Sequence, residues 1–261
     1  WRLDVSNEVS HTFWRKFRTV VKALKPDLFI LGENWDDSTP WLMGDQFDSV
    51  MNYEFTYPVW HLLSRESQYG DFGVKAYKEA IGKLIVSYPK HVAINMFNLL
   101  DSHDTSRLHT MLDNDERLVK LAFVLQMSFG GSPSVYYGSE IGLFGVHDGN
   151  RQCMVWDEKE QNLALKAHVK RLIALRKSHN AMKEMDIHFV DIENEPEILI
   201  FTKGTKSEQI TFIVNLKAEQ QTLSLRELEI EVSYDLYGAF TLEAVEQNTL
   251  QLEAFSFRIL K

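Results

Sequence analysis

Apolar residues in the first two-thirds of the chain fall into two alternating textures. Short apolar runs at residues 1–5, 28–32, 47–52, 97–100 and 134–137 read as buried strands. Between them lie longer stretches in which apolar positions return every three or four residues, the spacing of a helix with one buried face. The clearest opens at Ser10, a natural N-cap, and carries Phe13, Phe17, Val20, Val21 and Leu24 before Lys25-Pro26 stops it. Further helices are predicted over about 71–86, 116–129 and 161–177, the last with Leu165, Val169, Leu172, Ile173 and Leu175 as its apolar set. Alternation of this kind marks βα units around a parallel sheet, and five units can be counted.

From about Met185 the texture changes. Runs at 187–190, 198–201, 210–214, 232–236 and 255–260 are separated by glycine or by charged turns such as Lys203-Gly-Thr-Lys-Ser-Glu208, the pattern of an antiparallel β-sandwich. No cluster of reactive side chains sits in this part, so it reads as a supporting domain. The division falls near 180–186, giving an α/β part at 1–183 and an all-β part at 184–261.

Composition narrows the class of partner. Lys plus Arg number 28 and Asp plus Glu 37, for a formal charge of −9, which disfavours nucleic acid and anionic membrane as partners and suits a neutral ligand. The single cysteine, Cys153, permits no intrachain disulfide and no cysteine-rich zinc site, and with no basic group beside it reads as an inert, partly buried thiol. No apolar run approaches the roughly 18 residues of a membrane span, and the chain as it stands shows no signal-peptide pattern. It opens inside a strand with no initiator Met, which suggests the rear part of a longer protein.

Candidate chemistry gathers where strands end and loops begin, the place where barrel enzymes carry their functional groups. Arg2 and Asp4 end the first strand, Glu33 follows Ile30-Leu31-Gly32, and His103-Asp104 follow Asn98-Leu-Leu-Asp-Ser102. Two carboxyl groups flanking a glycosidic bond can act as nucleophile and general acid. Arg2 and Asp4 share one side of their strand by the two-residue period, so a salt-bridged, ionised Asp4 is expected. Each element also has a plainer reading: a structural ion pair for Arg2 with Asp4, a helix-end residue for Glu33, a turn cap for His103-Asp104. Three carboxylates at three strand ends, in strand order, favour the chemical reading over these. Tyr136 and Tyr137 read as strand packing, and Arg107 as a structural partner of an acid. No HExxH, phosphate-binding glycine loop or EF-hand spacing occurs.

The segments Arg2-Leu-Asp-Val-Ser-Asn-Glu8, Leu31-Gly-Glu-Asn-Trp35, Phe97-Asn-Leu-Leu-Asp-Ser-His-Asp-Thr-Ser-Arg107 and Gly131-Ser-Pro-Ser-Val-Tyr-Tyr-Gly-Ser-Glu140 resemble successive signature segments of the α-amylase family of glycoside hydrolases. Asn7-Glu8 and Gly44-Asp-Gln-Phe-Asp-Ser-Val-Met-Asn-Tyr53 are similar to the neopullulanase, cyclomaltodextrinase and maltogenic amylase group. The resemblance implies that the five units are strands four to eight of a (β/α)8 TIM barrel, followed by the antiparallel sandwich. It implies Asp4 as nucleophile, Glu33 as general acid and base, and Asp104 as a third carboxylate on the sugar. Arg2 would hold Asp4 and His103 would bind the same sugar. Asn7 and Glu8 would lie on the acceptor side, and Trp35 could offer a ring for stacking or serve as core. A retaining mechanism places the Asp4 and Glu33 carboxyls about 5 to 5.5 Å apart.

The same resemblance implies an α-glucan oligosaccharide substrate and no required cofactor, with calcium possible in the full-length protein, which many relatives bind through residues that would lie upstream of Trp1. A cytoplasmic location is expected on the analogy. Five parallel strands cannot close a barrel, so self-association through the open edges and little activity from these residues alone are expected. A non-catalytic binding or assembly module and a sucrose- or trehalose-acting relative are the competing functions; the intact carboxylate triplet weighs against the former.

Overall fold

A computed structural model describes residues 1–64, 72–192, 196–205, 207–226, 233–241 and 249–261. Asp71, Lys206 and Val232, which the pattern assigned to a helix start, a turn and a strand, lie outside the described residues. Five short parallel strands form the α/β part: β1 (Arg2–Leu3), β2 (Leu31–Gly32), β3 (Ser49–Val50), β4 (Phe97–Leu99) and β5 (Ser132–Ser134). They lie in chain order, Arg2 opposite Leu31, Leu31 opposite Ser49, and Phe97 opposite Ser132, with the single pair Met51 and Phe97 joining β3 to β4. Neither β1 nor β5 has a second neighbour among the described residues.

Alternation along these strands separates two faces. Leu3, Ile30, Val50 and Leu100 point outward into the core beneath the helices. Leu31, Met51 and Leu99, with Tyr53, form a separate cluster on the inner face. Both faces are apolar, as for strands covered on each side. Pro133 sits in β5, opposite Asn98 of β4.

The helices are α1 (His11–Leu24), α2 (Tyr53–Leu63), α3 (Val74–Ser87), the one-turn α4 (Lys90–Ala93) and α5 (Leu108–Met111), α6 (Glu116–Ser128) and α7 (Leu163–Ser178). Ser10 caps α1 through its Oγ, which accepts the Phe13 N–H at 3.4 Å. The expected apolar face of α1 is only partly buried. Trp14 and Val21 are covered, whereas Phe13, Val20 and Leu24 are exposed. Helix α2 is absent from the periodicity reading. It is buried nearly all round, with Tyr53 facing inward and Phe55 outward, so no amphipathic period exists to find, and Pro58 interrupts its hydrogen-bond ladder.

The all-β part holds a six-stranded antiparallel sheet in the order β11, β10, β13, β8, β7, β6 and a two-stranded β12–β9 ribbon. Their bounds are β6 His188–Val190, β7 Ile198–Thr205, β8 Glu208–Asn215, β9 Gln221–Ser224, β10 Tyr234–Asp235, β11 Phe240–Thr241, β12 Thr249–Leu252 and β13 Ser256–Leu260. Ile198, Ile200 and Ile213 pack against Leu223, Leu250 and Leu252 of the ribbon. The opposite face, with Leu199, Phe201, Phe212 and Ile259, joins the core of the α/β part.

Lys203, expected in a polar turn, is instead the buried end of β7. Its ammonium donates to the carbonyls of Ser128, Glu184 (2.6 Å) and Met182 (3.3 Å). Arg176 donates to Met127, Phe129, Gly131 and Met182 at 2.6–2.8 Å. Two cations thus cap the C-terminal carbonyls of α6, where the helix dipole favours positive charge, and tie the two parts together. Burial, reinforced by the charge of Arg176, pushes the Lys203 ammonium down to about 7.

Candidate active site

The strand ends bring the three carboxylates to one guanidinium. Arg2 donates through Nη1 to Asp4 Oδ1, while its Nη2 lies 2.7 Å from Glu33 Oε1 and 3.4 Å from Asp104 Oδ2. Their environments differ sharply: the Glu33 side chain is 5% exposed and that of Asp4 74%. Between these strand ends and β4–β5 lies a cavity of about 320 Å³ lined in part by Arg2, Leu31, Met51, Phe97, His103 and Tyr136.

Local structure explains each position. After β1 the chain turns sharply at Val5, whose φ is 44°, and its N–H donates to Glu33 Oε2 at 2.8 Å. Ser6 Oγ lies 3.0 Å from the Glu33 carbonyl and 2.7 Å from Asn34 Oδ1, within reach to share its one proton between them, fastening the first strand end to the second. Gly32 allows this approach: a Cβ there would lie 2.5 Å from the Phe47 ring and 2.9 Å from Ser6 Oγ. Asp104 takes His103 Nε2 at 3.0 Å and Arg151 Nη2 at 3.2 Å.

Trp35 is half-buried and stacks on Tyr53, with ring centroids 4.0 Å apart and planes 8° from parallel. One of its faces is therefore taken. The Tyr53 hydroxyl is 3.5 Å from Ser102 Oγ. Burial, partly offset by that bond and reinforced by the charges of Glu33 and Asp104, raises the phenol above its ordinary value. Asn7 and Glu8 lie exposed on a short helical turn, bonded to each other at 3.3 Å and away from the Arg2 cluster's contacts.

Three expectations are corrected. Arg107 pairs not with an acid but with the carbonyls of Asn150 (2.9 Å) and Tyr137 (2.7 Å), because it is fully buried where loop backbone converges. Tyr136 and Tyr137 flank that guanidinium, at 4.5 and 4.9 Å, rather than only packing a strand. Cys153 is exposed, because its segment runs over the surface in a long irregular loop.

Arg151, Tyr53 and Asp101 were not among the expected site residues. Arg151 lies deep in a loop without periodicity, where only its basic character in Arg151-Gln-Cys-Met could have marked it. Asp101 is a buried residue in the lining of the same cavity, accepting from Ser139 Oγ at 2.5 Å and Leu108 N–H at 2.9 Å. Burial outweighs these bonds and the nearby Arg107, pushing its carboxyl up to about 6. Among the described residues no group of three or more His, Cys, Asp or Glu side chains could hold a metal ion, and no helix is long and apolar enough to cross a membrane.

With this geometry in place, comparison with known proteins decides the family. The model described as "Alpha amylase, catalytic domain" matches residues 5–174, and that described as "Maltogenic Amylase, C-terminal domain" matches residues 187–259. The chain belongs to the α-amylase family of glycoside hydrolases. It is 47% identical over 220 residues to a cyclomaltodextrinase of Geobacillus thermopakistaniensis (strain MAS1), covering 84% of this chain and 37% of that protein. To the maltogenic alpha-amylase of Bacillus acidopullulyticus it is 43% identical over 266 residues, covering 100% and 44%. The solved structure of a cyclomaltodextrinase superposes with a TM-score of 0.87 at 37% identity, covering 100% of this chain and 45% of that one. This α-amylase family chain therefore spans about two-fifths of the length of these relatives, and its fold is part of an amylase (β/α) catalytic domain followed by an antiparallel β-domain.

Proposed function

We propose that this chain supplies the catalytic carboxylates of a retaining α-glucan hydrolase acting on α-1,4 links in cyclomaltodextrins, pullulan or starch oligosaccharides. One observation carries the reading: a single guanidinium, that of Arg2, contacts Asp4, Glu33 and Asp104 together. The names of the relatives, a cyclomaltodextrinase and a maltogenic alpha-amylase, support the substrate class.

In this reading Asp4 attacks the anomeric carbon, the glycosidic C–O bond breaks, and the leaving oxygen takes its proton from Glu33. Water then attacks the same carbon, gives a proton to Glu33, and the ester to Asp4 breaks, releasing a sugar of retained configuration. A sugar hydroxyl in place of water gives transglycosylation. Exposure suits Asp4 to reach a substrate, while Glu33 is covered and held by Arg2 and the Val5 N–H. Asp104, beside His103, binds sugar hydroxyls and stabilises the oxocarbenium-like ring; Trp35 offers its free face.

A cytoplasmic location fits the reading, as do self-association through the β1 and β5 edges and little activity from residues 1–261 by themselves. Hydrolysis of a chromogenic maltoside by the complete natural polypeptide carrying this chain tests it, with Asp4→Asn as control. A loss of about 10³-fold or more is expected; equal rates would end the reading.

A further inference from the structure

The turn that presents Asp104 is fastened from behind. We propose that Asn150 is a positioning residue for Asp104, acting through the 102–105 turn and not by touching the sugar. This rests on the role proposed for Asp104 in the preceding subsection.

Asn150 is fully buried, and its Nδ2 donates to the carbonyl of Ser102 at 2.9 Å and to that of Thr105. These carbonyls stand at the two ends of the turn, with His103 and Asp104 between them. The amide can face the turn in only one sense, since the opposite flip would set its oxygen against two carbonyl oxygens. Within the turn, Asp104 N–H donates to Ser102 Oγ at 3.1 Å and Ser102 N–H to Thr105 Oγ1 at 2.9 Å. With both ends and both internal bonds fixed, the Asp104 backbone has one arrangement.

Asn150 is itself held. Arg107, whose guanidinium lies against two tyrosine rings, donates through Nε to the Asn150 carbonyl and through its backbone N–H to the Gly145 carbonyl at 2.9 Å each. Residue 145 has to be glycine, since a Cβ there would lie 2.7 Å from the Gly149 oxygen and 3.0 Å from Asn150 Cα. The next residue, Arg151, reaches Asp104 Oδ1 at 3.2 Å and the His103 carbonyl at 3.1 Å. Its side chain is 54% exposed, so solvent and salt weaken that contact. The buried amide bonds of Asn150 are the stiffer of the two restraints.

A double-mutant cycle tests the inference in the complete natural polypeptide, using α-maltosyl fluoride so that slow variants remain measurable. Asn150→Ala is expected to lower kcat about 10- to 100-fold with KM changed less than about threefold, the scale of a misplacement of about 1 Å. In an Asp104→Asn background the same substitution is expected to cost less than about threefold, because Asn150 acts through the carboxylate already removed. Asn150→Ser, whose single hydroxyl proton can serve at most one of the two carbonyls, is expected to reproduce the kcat loss, which covers the case of Asn150→Ala failing to fold. An equal loss in both backgrounds, or an unchanged kcat in both Asn150 variants, overturns the inference and leaves the site reading standing. Full activity of Asp104→Asn alone overturns the site reading, and this inference with it.

Discussion

Arg2 lies with Nη2 2.7 Å from Glu33 Oε1 while its Nη1 donates to Asp4, so one side chain spans two carboxyl groups delivered by different strands. The planar guanidinium makes this possible because it presents donors in several fixed directions, and a lysine ammonium cannot reproduce it. Arg2→Lys in the complete polypeptide is therefore expected to lower kcat/KM on β-cyclomaltodextrin by about 10²-fold or more, far beyond the effect of an exposed ion pair. Steady-state kinetics checks this. A change within about threefold would make Arg2 a structural residue only.

Asp101 gives a pH prediction with a definite sign. Its folded pKa, about 6, lies above the unfolded 3.8, so between these values the fold holds the proton that the unfolded chain releases. The contribution of Asp101 to stability is greatest at low pH and is lost as pH rises through about 6, by up to about 3 kcal/mol at 1.36 kcal/mol per unit. Asp101→Asn removes that dependence. The melting temperature of this variant relative to wild type is expected to improve between pH 4.5 and pH 7, since other carboxylates cancel in the comparison; a constant difference would contradict it.

Arg176 and Lys203 serve overlapping carbonyls at the end of α6, but not equally. Removing Arg176 strips the donor from the carbonyls of Met127, Phe129 and Gly131, whereas Met182 is still reached by Lys203. Each buried acceptor left without a partner costs about 1–3 kcal/mol. Arg176→Met is expected to destabilise by about 3 kcal/mol or more. Lys203→Met should cost less, because it strips only the carbonyls of Ser128 and Glu184 and removes the more deeply buried of the two charges. Denaturant titration of both variants checks the order, and a larger loss for Lys203→Met would reverse it.

Phe13, Val20 and Leu24 stand exposed on one flank of α1, beside Trp1 and the unpaired edge of β1. Residues 1–261 expressed by themselves are expected to self-associate through this flank. Sedimentation velocity should show dimers or larger species that Phe13→Glu with Val20→Lys shifts toward monomer. A monomer that the two charges leave unchanged would contradict the expectation.

What the sequence disclosed follows from how locally each feature is encoded. Ser10 capping α1 and the polar residues just past β1, β2 and β4 are visible because strand, turn and helix chemistry is short-range. Asn150 was illegible for the opposite reason: its partners are Ser102 and Thr105, more than forty residues away, and its own segment has no period. Lys203 misled because a lysine beside Gly204 reads as a turn, and only the carbonyls of Ser128, Met182 and Glu184, brought by another part of the fold, compensate its burial. Helix α2 escaped because tertiary burial on both its faces erased the pattern that betrays a surface helix.

The role of Asp4 can be read most directly by trapping the covalent intermediate. Incubating the complete polypeptide with a fluorinated maltosyl fluoride that forms the glycosyl ester quickly and releases it slowly, then mapping the labelled peptide by mass spectrometry, locates the nucleophile. The expected result is one maltosyl ester on Asp4, absent from Asp4→Asn. An ester on Glu33 or Asp104, or turnover with inverted configuration and no ester at all, would contradict the account.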